Sequence, residues 1–140
     1  MTLTVPCLFG LESLVADEMK RLQLKNVRAE NGRVHCDGDF ADIARLNINL
    51  RCGARVLLVL GEFPARSFEE LFQGTRAIAW EDYLPRDAAF PVKGYSLNSK
   101  LFSVSDCQKI IKKAVSVRLS EFYCLDTLPE TGAEYRIRFI

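Results

Sequence analysis

The feature that most restricts the fold is the order of secondary-structure signals in the first 63 residues. Apolar residues recur at helical spacing in two segments, and four other segments have the character of strands, two of which alternate around Asn31-Gly32. In chain order these are a strand over 2–6, a helix over 10–22, strands over 25–30 and 33–37, a helix after Asp39 and a strand over 55–63. The β-α-β-β-α-β order predicts a split βαβ domain, in which two helices cover one face of an antiparallel sheet.

Two local signals define the middle of this domain. Asn31-Gly32 separates the second and third strands, and both residues tolerate the positive φ angles of a type I′ hairpin turn. Asp37-Gly38-Asp39 ends the third strand, and either acid can cap the helix that follows. That helix is predicted to carry one apolar face, made of Phe40, Ile43, Ala44 and Ile48.

A second module is predicted over residues 64–140. Ser67-x-x-Glu70 is a capping box that begins a helix reaching about Gly74. A helical turn over 78–84, a strand over 89–95, a helix over 105–122 and a strand over 134–140 follow. The last strand alternates up to Ile140 without a following turn, and two strands rarely make a stable sheet alone. We therefore expect the chain to be the front of a longer protein.

Composition excludes several classes of protein. The chain is 49% apolar and 26% charged with a net charge of +1, which is typical of a globular protein and not of a basic or acidic tail. Its longest apolar run, over 56–60, is far too short to cross a bilayer. The first four residues do not resemble a secretory signal. A cytoplasmic protein with no membrane partner is expected.

Catalytic and metal-binding motifs are not found in the sequence. It contains no P-loop, no G-x-G-x-x-G and no G-x-S-x-G, so this chain alone is not expected to be an enzyme or to bind a cofactor. The five cysteines lack C-x-x-C spacing and are predicted to be reduced and buried. His35 has no second imidazole beside it, which argues against a metal site or a general base.

Positive charge is concentrated in one segment, because residues 93–121 carry a net charge of +4. Ser105-x-x-Gln108 is a predicted capping box from which helical phase can be counted. At about 100° per residue, the apolar side of that helix contains Cys107, Ile110, Ile111, Ala114 and Val115, and the opposite side contains Lys109, Lys112, Lys113 and Ser116. The basic side is interpreted either as a phosphate-binding surface, together with Ser99 and Lys100 in the preceding loop, or as a solvated helix face.

Three arginines are further candidates. Arg118 falls in the middle of the apolar arc, so it must snorkel, pair with a carboxylate or meet a ligand. Arg51 and Arg55 flank the turn between the second helix and the closing strand of the first module. They are either ordinary cations at a helix C-terminus or RNA contacts.

Several runs of residues are similar to the start of the bacterial THUMP-containing class I RNA methyltransferases. They are Cys7-Leu8-Phe9-Gly10-Leu11-Glu12, Asn31-Gly32, Leu46-Asn47, Leu50-Arg51, Arg55-Val56-Leu57, Trp80-Glu81-Asp82-Tyr83-Leu84, Ser99-Lys100-Leu101-Phe102-Ser103, Asp106-Cys107-Gln108 and Lys112-Lys113-Ala114. The resemblance implies an α+β chain with a ferredoxin-like domain over 1–63 and an incomplete α/β THUMP RNA-binding module over 64–140. It also implies a Rossmann-like domain, absent here, that uses S-adenosylmethionine to methylate guanine N2 in 23S ribosomal RNA.

The resemblance transfers only a few residues. Ser99, Lys100, Gln108, Lys112 and Lys113 match the THUMP segment, and Asn47, Arg51 and Arg55 match the first module. No residue shown can be assigned to catalysis, because the glycine-rich cofactor loop and the N-P-P-Y type motif of the family are absent. The expected partners are RNA and a methyltransferase domain of the same chain. The alternative is an RNA-binding or assembly module with no enzymatic domain of its own.

Overall fold

A computed structural model describes residues 1–140, which form two compact units that divide between Leu60 and Gly61. The elements of the first unit are β1 (Thr2–Pro6), α1 (Glu12–Arg21), β2 (Lys25–Glu30), β3 (Arg33–Asp37), α2 (Phe40–Asn49) and β4 (Leu57–Leu58). The four strands form an antiparallel sheet in the order β2-β3-β1-β4. The split βαβ arrangement predicted from the element order is confirmed.

The core of the first unit lies between this sheet and its two helices. Strand alternation turns Leu3 and Val5 of β1, with Val34 and Cys36 of β3, into the same buried cluster. The helices contribute Val15, Ala16 and Met19 from α1 and Leu46 from α2. A carboxylate from α1 fixes the adjoining loops, because Glu12 accepts hydrogen bonds from the amides of Gly10 and Gly32.

The predicted apolar face of α2 is wrong for Phe40, Ala44 and Ile48 and right for Ile43. Asp39 caps α2 in a full capping box with Asp42, and Ile43 and Leu46 then pack against the core. Phe40 is 70% exposed and Ile48 is 82% exposed. Together with Ala44 they form a line of residues four apart on the helix surface, next to the line that is buried. Spacing alone did not separate the two lines, since both contain apolar residues.

Two other details of the first unit differ from the prediction. Gly32 has a φ of 76° but Asn31 does not take a positive φ, so the hairpin turn is not type I′. The closing strand is only two residues long instead of the nine predicted over 55–63. Because its partner β1 begins at Thr2, the ladder ends with the hydrogen bond from the Val59 amide to the Thr2 carbonyl.

The second unit contains one long helix and a small sheet. Its elements are α3 (Phe68–Arg76), a 3-10 turn (Trp80–Asp82), β5 (Val92–Gly94), α4 (Val104–Tyr123) and β6 (Ile137–Phe139). The strands β5 and β6 pair in parallel, with α4 as the crossover between them. Its buried apolar residues are Trp80, Leu84, Ala88, Phe90, Cys107, Ile111, Ala114, Val115 and Leu119. No helix of the chain is long and apolar enough to cross a membrane.

The helix starts of the second unit match the prediction only in part. Ser67 caps α3 through the Glu70 amide as predicted, but the Glu70 carboxylate accepts from the amide of Arg66. The predicted cap at Ser105 is wrong, since Ser103 precedes the first residue of α4. Gln108 does not close a capping box, and its amide donates instead to the Val92 carbonyl of β5.

The cysteines differ in burial. Cys36 and Cys107 are buried as predicted, and burial raises the pKa of Cys36 to about 11. The prediction of burial is wrong for Cys124, which is exposed at the left-handed C-cap of α4, and Cys7 and Cys52 are only half-buried. The C-cap conformation explains the exposure of Cys124, because it lies where the helix ends and the chain turns away.

Candidate nucleic-acid interface

The basic side of α4 contains lysines in two kinds of environment. Lys109 and Lys113 are exposed and make no ion pair or hydrogen bond. Lys112 is half-buried: its Nζ donates to the Phe90 carbonyl at 3.0 Å and lies 3.7 Å from the centre of the Phe90 ring. It also pairs with the carboxylate of Glu130. Of the three lysines on the basic side of α4, Lys109 and Lys113 are therefore free to bind an anion.

The contact with Lys112 changes the titration of its partner. The hydrogen bond from Lys112 holds the pKa of Glu130 below its ordinary value, against the opposing effect of desolvation. The sequence could not show this pairing, because Glu130 lies beyond the end of α4 and outside the i,i+4 positions that helical spacing tests.

Arg118 pairs with a carboxylate. This is one of the three alternatives left open by its position in the apolar arc of the helix. Its Nε donates to Glu81 Oε2 at 2.9 Å, a second nitrogen donates to Oε1, and Nη1 donates to the Arg76 carbonyl at 3.3 Å. This two-pronged bond lowers the pKa of Glu81. Arg118 thereby joins α4 to the 3-10 turn and to the end of α3, and three of its five N–H donors are used within the protein.

The loop before α4 places the predicted Ser99 and Lys100 at the surface. The Ser99 hydroxyl accepts from the Leu101 amide at 3.2 Å, and the Ser96 hydroxyl donates to the Leu101 carbonyl at 2.8 Å. Asn98 takes a left-handed φ of 48° within this loop. Lys100 is exposed and has no partner, so it remains available to an anion.

The two candidate arginines of the first unit are also exposed. The backbone amide of Arg51 donates to the Glu18 carboxylate of α1 at 3.2 Å, which fixes the turn after α2. The guanidinium groups of Arg51 and Arg55 contact no carboxylate. They lie at one end of the first unit, on either side of the turn that leads into β4.

Two further cations were not singled out from the sequence. Lys93 of β5 and Arg138 of β6 are register partners in the parallel ladder, and both are exposed without an ion pair. The alternation of the predicted strand over 134–140 placed Arg138 on its polar face, and Lys93 was counted only as part of the basic segment over 93–121. The missing signal was the parallel register, which local patterns do not specify.

Comparison with protein-family models identifies both units. The RlmL ferredoxin-like domain matches residues 2–57. The THUMP domain matches residues 65–139.

Among curated proteins, Bacillus subtilis (strain 168) has a similar protein named "Putative RNA methyltransferase YpsC". It is 39% identical over 138 residues, which are 97% of this chain and 36% of that protein. The "Ribosomal RNA large subunit methyltransferase K/L" of Pseudomonas putida (strain F1) is 36% identical over 91 residues, or 65% of this chain and 12% of that protein. The chain thus spans about a third or less of the length of these relatives.

Solved structures agree with this similarity. A crystal structure described as "a predicted N6-adenine-specific DNA methylase from Listeria monocytogenes str. 4b F2365" superposes with a TM-score of 0.92 at 47% identity, over 98% of this chain and 36% of that one. The structure of "SMU.472, a putative methyltransferase complexed with SAH" gives a TM-score of 0.91 at 42% identity, over 98% of this chain and 37% of that one. The chain belongs to the THUMP domain family and matches the N-terminal portion of these methyltransferases, with a ferredoxin-like domain before the THUMP domain.

Proposed function

We propose that the chain is the RNA-binding N-terminal region of an S-adenosylmethionine-dependent methyltransferase that modifies large-subunit ribosomal RNA. Membership of the THUMP family and the methyltransferase names of the relatives support this proposal. The observation that carries it is the group of exposed, unpaired lysines in the second unit, formed by Lys100, Lys109 and Lys113. Arg51 and Arg55 offer two more free cations in the first unit.

These side chains suit recognition of an RNA backbone. Lysine is a flexible point charge, and lysines that neutralise phosphates release counterions, which makes binding sensitive to salt. Structured RNA is recognised largely through its shape, its phosphates and its 2′-hydroxyl groups. The chain would hold the RNA while a methyltransferase domain of the same protein, its expected partner, transfers a methyl group to guanine N2 in 23S ribosomal RNA.

The methyl donor belongs to that other domain. A bound S-adenosylmethionine would supply the methyl group, and binding it calls for a glycine-rich turn between a strand and a helix. The turns of this chain from strand to helix, at 7–11, 38–39, 59–67 and 95–103, do not contain that motif. No catalytic step is therefore assigned to the residues described here.

The test measures binding to fragments of large-subunit ribosomal RNA at several salt concentrations. The double substitution Lys109→Gln with Lys113→Gln removes two cations from the free side of α4 without changing its buried residues. If each contacts a phosphate, the slope of log affinity against log salt falls by roughly 0.7 to 0.9 per lysine.

The matched control substitutes Lys20→Gln and Arg86→Gln, which are also exposed and unpaired. Its salt slope is expected to equal that of the unmodified protein. A folded Lys109/Lys113 variant with an unchanged slope would contradict the proposed role of α4. Failure of the unmodified protein to bind RNA would contradict the proposed function itself.

A further inference from the structure

The small sheet of the second unit has one covered face and one open face. Val92, Gly94, Ile137 and Phe139 are half-buried, and the alternate residues Lys93 and Arg138 are exposed. The strands approach closely at this point, since a Cβ added to Gly94 would lie 2.1 Å from the Phe139 carbonyl oxygen. The side chains of Lys93 and Arg138 therefore project from a short and well-defined platform.

Lys93 and Arg138 lie directly beside each other on that platform. They are register partners in the parallel ladder, and neighbouring strands are separated by about 4.8 Å. Like charges directly opposite one another destabilise a sheet. Neither side chain has a carboxylate partner, whereas Arg76, Lys112 and Arg118 of the same unit all have one.

The next residue on the β6 side adds to the positive charge. Arg136 is two residues before Arg138, so strand alternation puts it on the same face. It pairs with Glu134, but its side chain is 71% exposed and its guanidinium can still turn towards an anion. An anion that sits between Lys93 and Arg138 would relieve the repulsion between them.

An aromatic side chain lies on the same face. Tyr95 continues the ladder, because its amide donates to the Phe139 carbonyl at 3.2 Å, and it is two residues after Lys93. It is 44% exposed, and its hydroxyl makes no hydrogen bond within the protein. Cations combined with an exposed ring on a sheet face suit unpaired nucleotides, because the phosphate meets the charge and the base stacks on the ring.

We infer that Lys93, Arg138 and Tyr95 form a contact site for unpaired RNA on the open face of β5 and β6. Lys93 and Arg138 clamp one phosphate group, and Tyr95 stacks on the base of an adjacent nucleotide. Its residues differ from the lysines of α4, and it rests on the proposed function because it specifies which RNA feature the second unit reads.

Three variants of the whole chain separate charge from stacking, with a short single-stranded RNA and a matching duplex as probes. Lys93→Gln with Arg138→Gln should lower the single-strand salt slope by about 0.7, because the pair neutralises one phosphate. Tyr95→Ala should lower single-strand affinity by about five- to a hundredfold at unchanged slope, since stacking does not release counterions. Tyr95→Phe keeps the ring and should restore that affinity.

Duplex binding supplies the internal comparison, because paired bases are not available to Tyr95. Duplex affinity should be the same in Tyr95→Ala as in the unmodified protein. The inference is overturned if Lys93→Gln with Arg138→Gln keeps the slope of the Lys20/Arg86 control, or if Tyr95→Ala keeps its single-strand affinity. In that case a reduced slope in the Lys109/Lys113 variant would still support the proposed function. If the unmodified protein does not bind RNA at all, both the inference and the proposed function are overturned.

Discussion

A lysine on the polar side of a helix can still serve the fold when the chain brings oxygen atoms and an aromatic ring around it. Lys112 differs from its neighbour Lys113 in this respect, because it contacts Phe90 and Glu130 while Lys113 contacts solvent. Both residues are lysines on the side of the helix opposite its apolar side. Their difference depends on Phe90, 22 residues before Lys112, and on Glu130, 18 residues after it, so no local pattern could have separated them.

Replacing Lys112 should therefore affect stability where replacing Lys109 does not. We expect Lys112→Gln to lower the free energy of unfolding by about 1 kcal/mol, the net value of an intramolecular hydrogen bond, because the ion pair is partly exposed and screened. Lys109→Gln should change it by less than about 0.5 kcal/mol. Urea unfolding of both variants checks this expectation, and equal values for the two would argue against a structural role for Lys112.

The same contact predicts how stability depends on pH. Since the pKa of Glu130 is lower in the folded state, the ionised carboxylate contributes stability above its unfolded pKa, about 4.3. That contribution is lost as the pH falls through the lower folded-state pKa. The difference in unfolding free energy between the unmodified protein and Glu130→Gln should be constant near neutral pH and shrink below about pH 4.3. A difference that grows on acidification would contradict this assignment.

Among the elements, those specified by local signals were predicted well. The two strands of the β2–β3 hairpin were predicted with the bounds observed, and Ser67 begins α3 as its capping signal indicated. The length of β4 depends on where its partner β1 begins, and the buried side of α2 depends on how the helix packs on the sheet. Local sequence patterns specify neither. The two-stranded sheet of the second unit was predicted as strands, but its parallel register depends on pairing distant segments.

The phase of α2 can be tested with two apolar residues on different lines of the helix. Leu46 is fully buried, and Leu46→Ala should lower the free energy of unfolding by about 2 to 5 kcal/mol. Ile48 is 82% exposed, so Ile48→Ala should change it by less than about 0.5 kcal/mol. Chemical denaturation of the two variants measures both values, and the reverse order would restore the face predicted from the sequence.

For the molecule as a whole, the family and the fold class were predictable, while the partners of several candidate cations were not. The runs that carried the resemblance are spread over both units, so the THUMP assignment followed from the sequence. Arg118 was a candidate because of its position in the apolar arc, but the structure shows Glu81 bonded to it. Lys93 and Arg138 became candidates only when the parallel ladder placed them side by side.

The 140-residue chain by itself should not bind S-adenosylmethionine, because it has no glycine-rich turn from strand to helix. Calorimetric titration of the chain with that compound should give a flat baseline, while RNA binding is retained. Saturable micromolar binding would show that the chain contains a cofactor site of another kind.

The parallel pairing of β5 and β6 also has a consequence for the order of folding. Register partners Val92 and Ile137 are 45 residues apart, whereas Glu30 and Arg33 of the β2–β3 hairpin are three apart. Contacts between distant residues form more slowly, because the entropic cost of closing the intervening loop comes before the stabilisation gained from strand pairing. The hairpin of the first unit can thus form early, and the small sheet of the second unit closes late, after α4 has bridged its strands. The amides of Tyr95 and Ile137, which bond across that sheet, should accordingly be among the last to gain protection from hydrogen exchange during refolding.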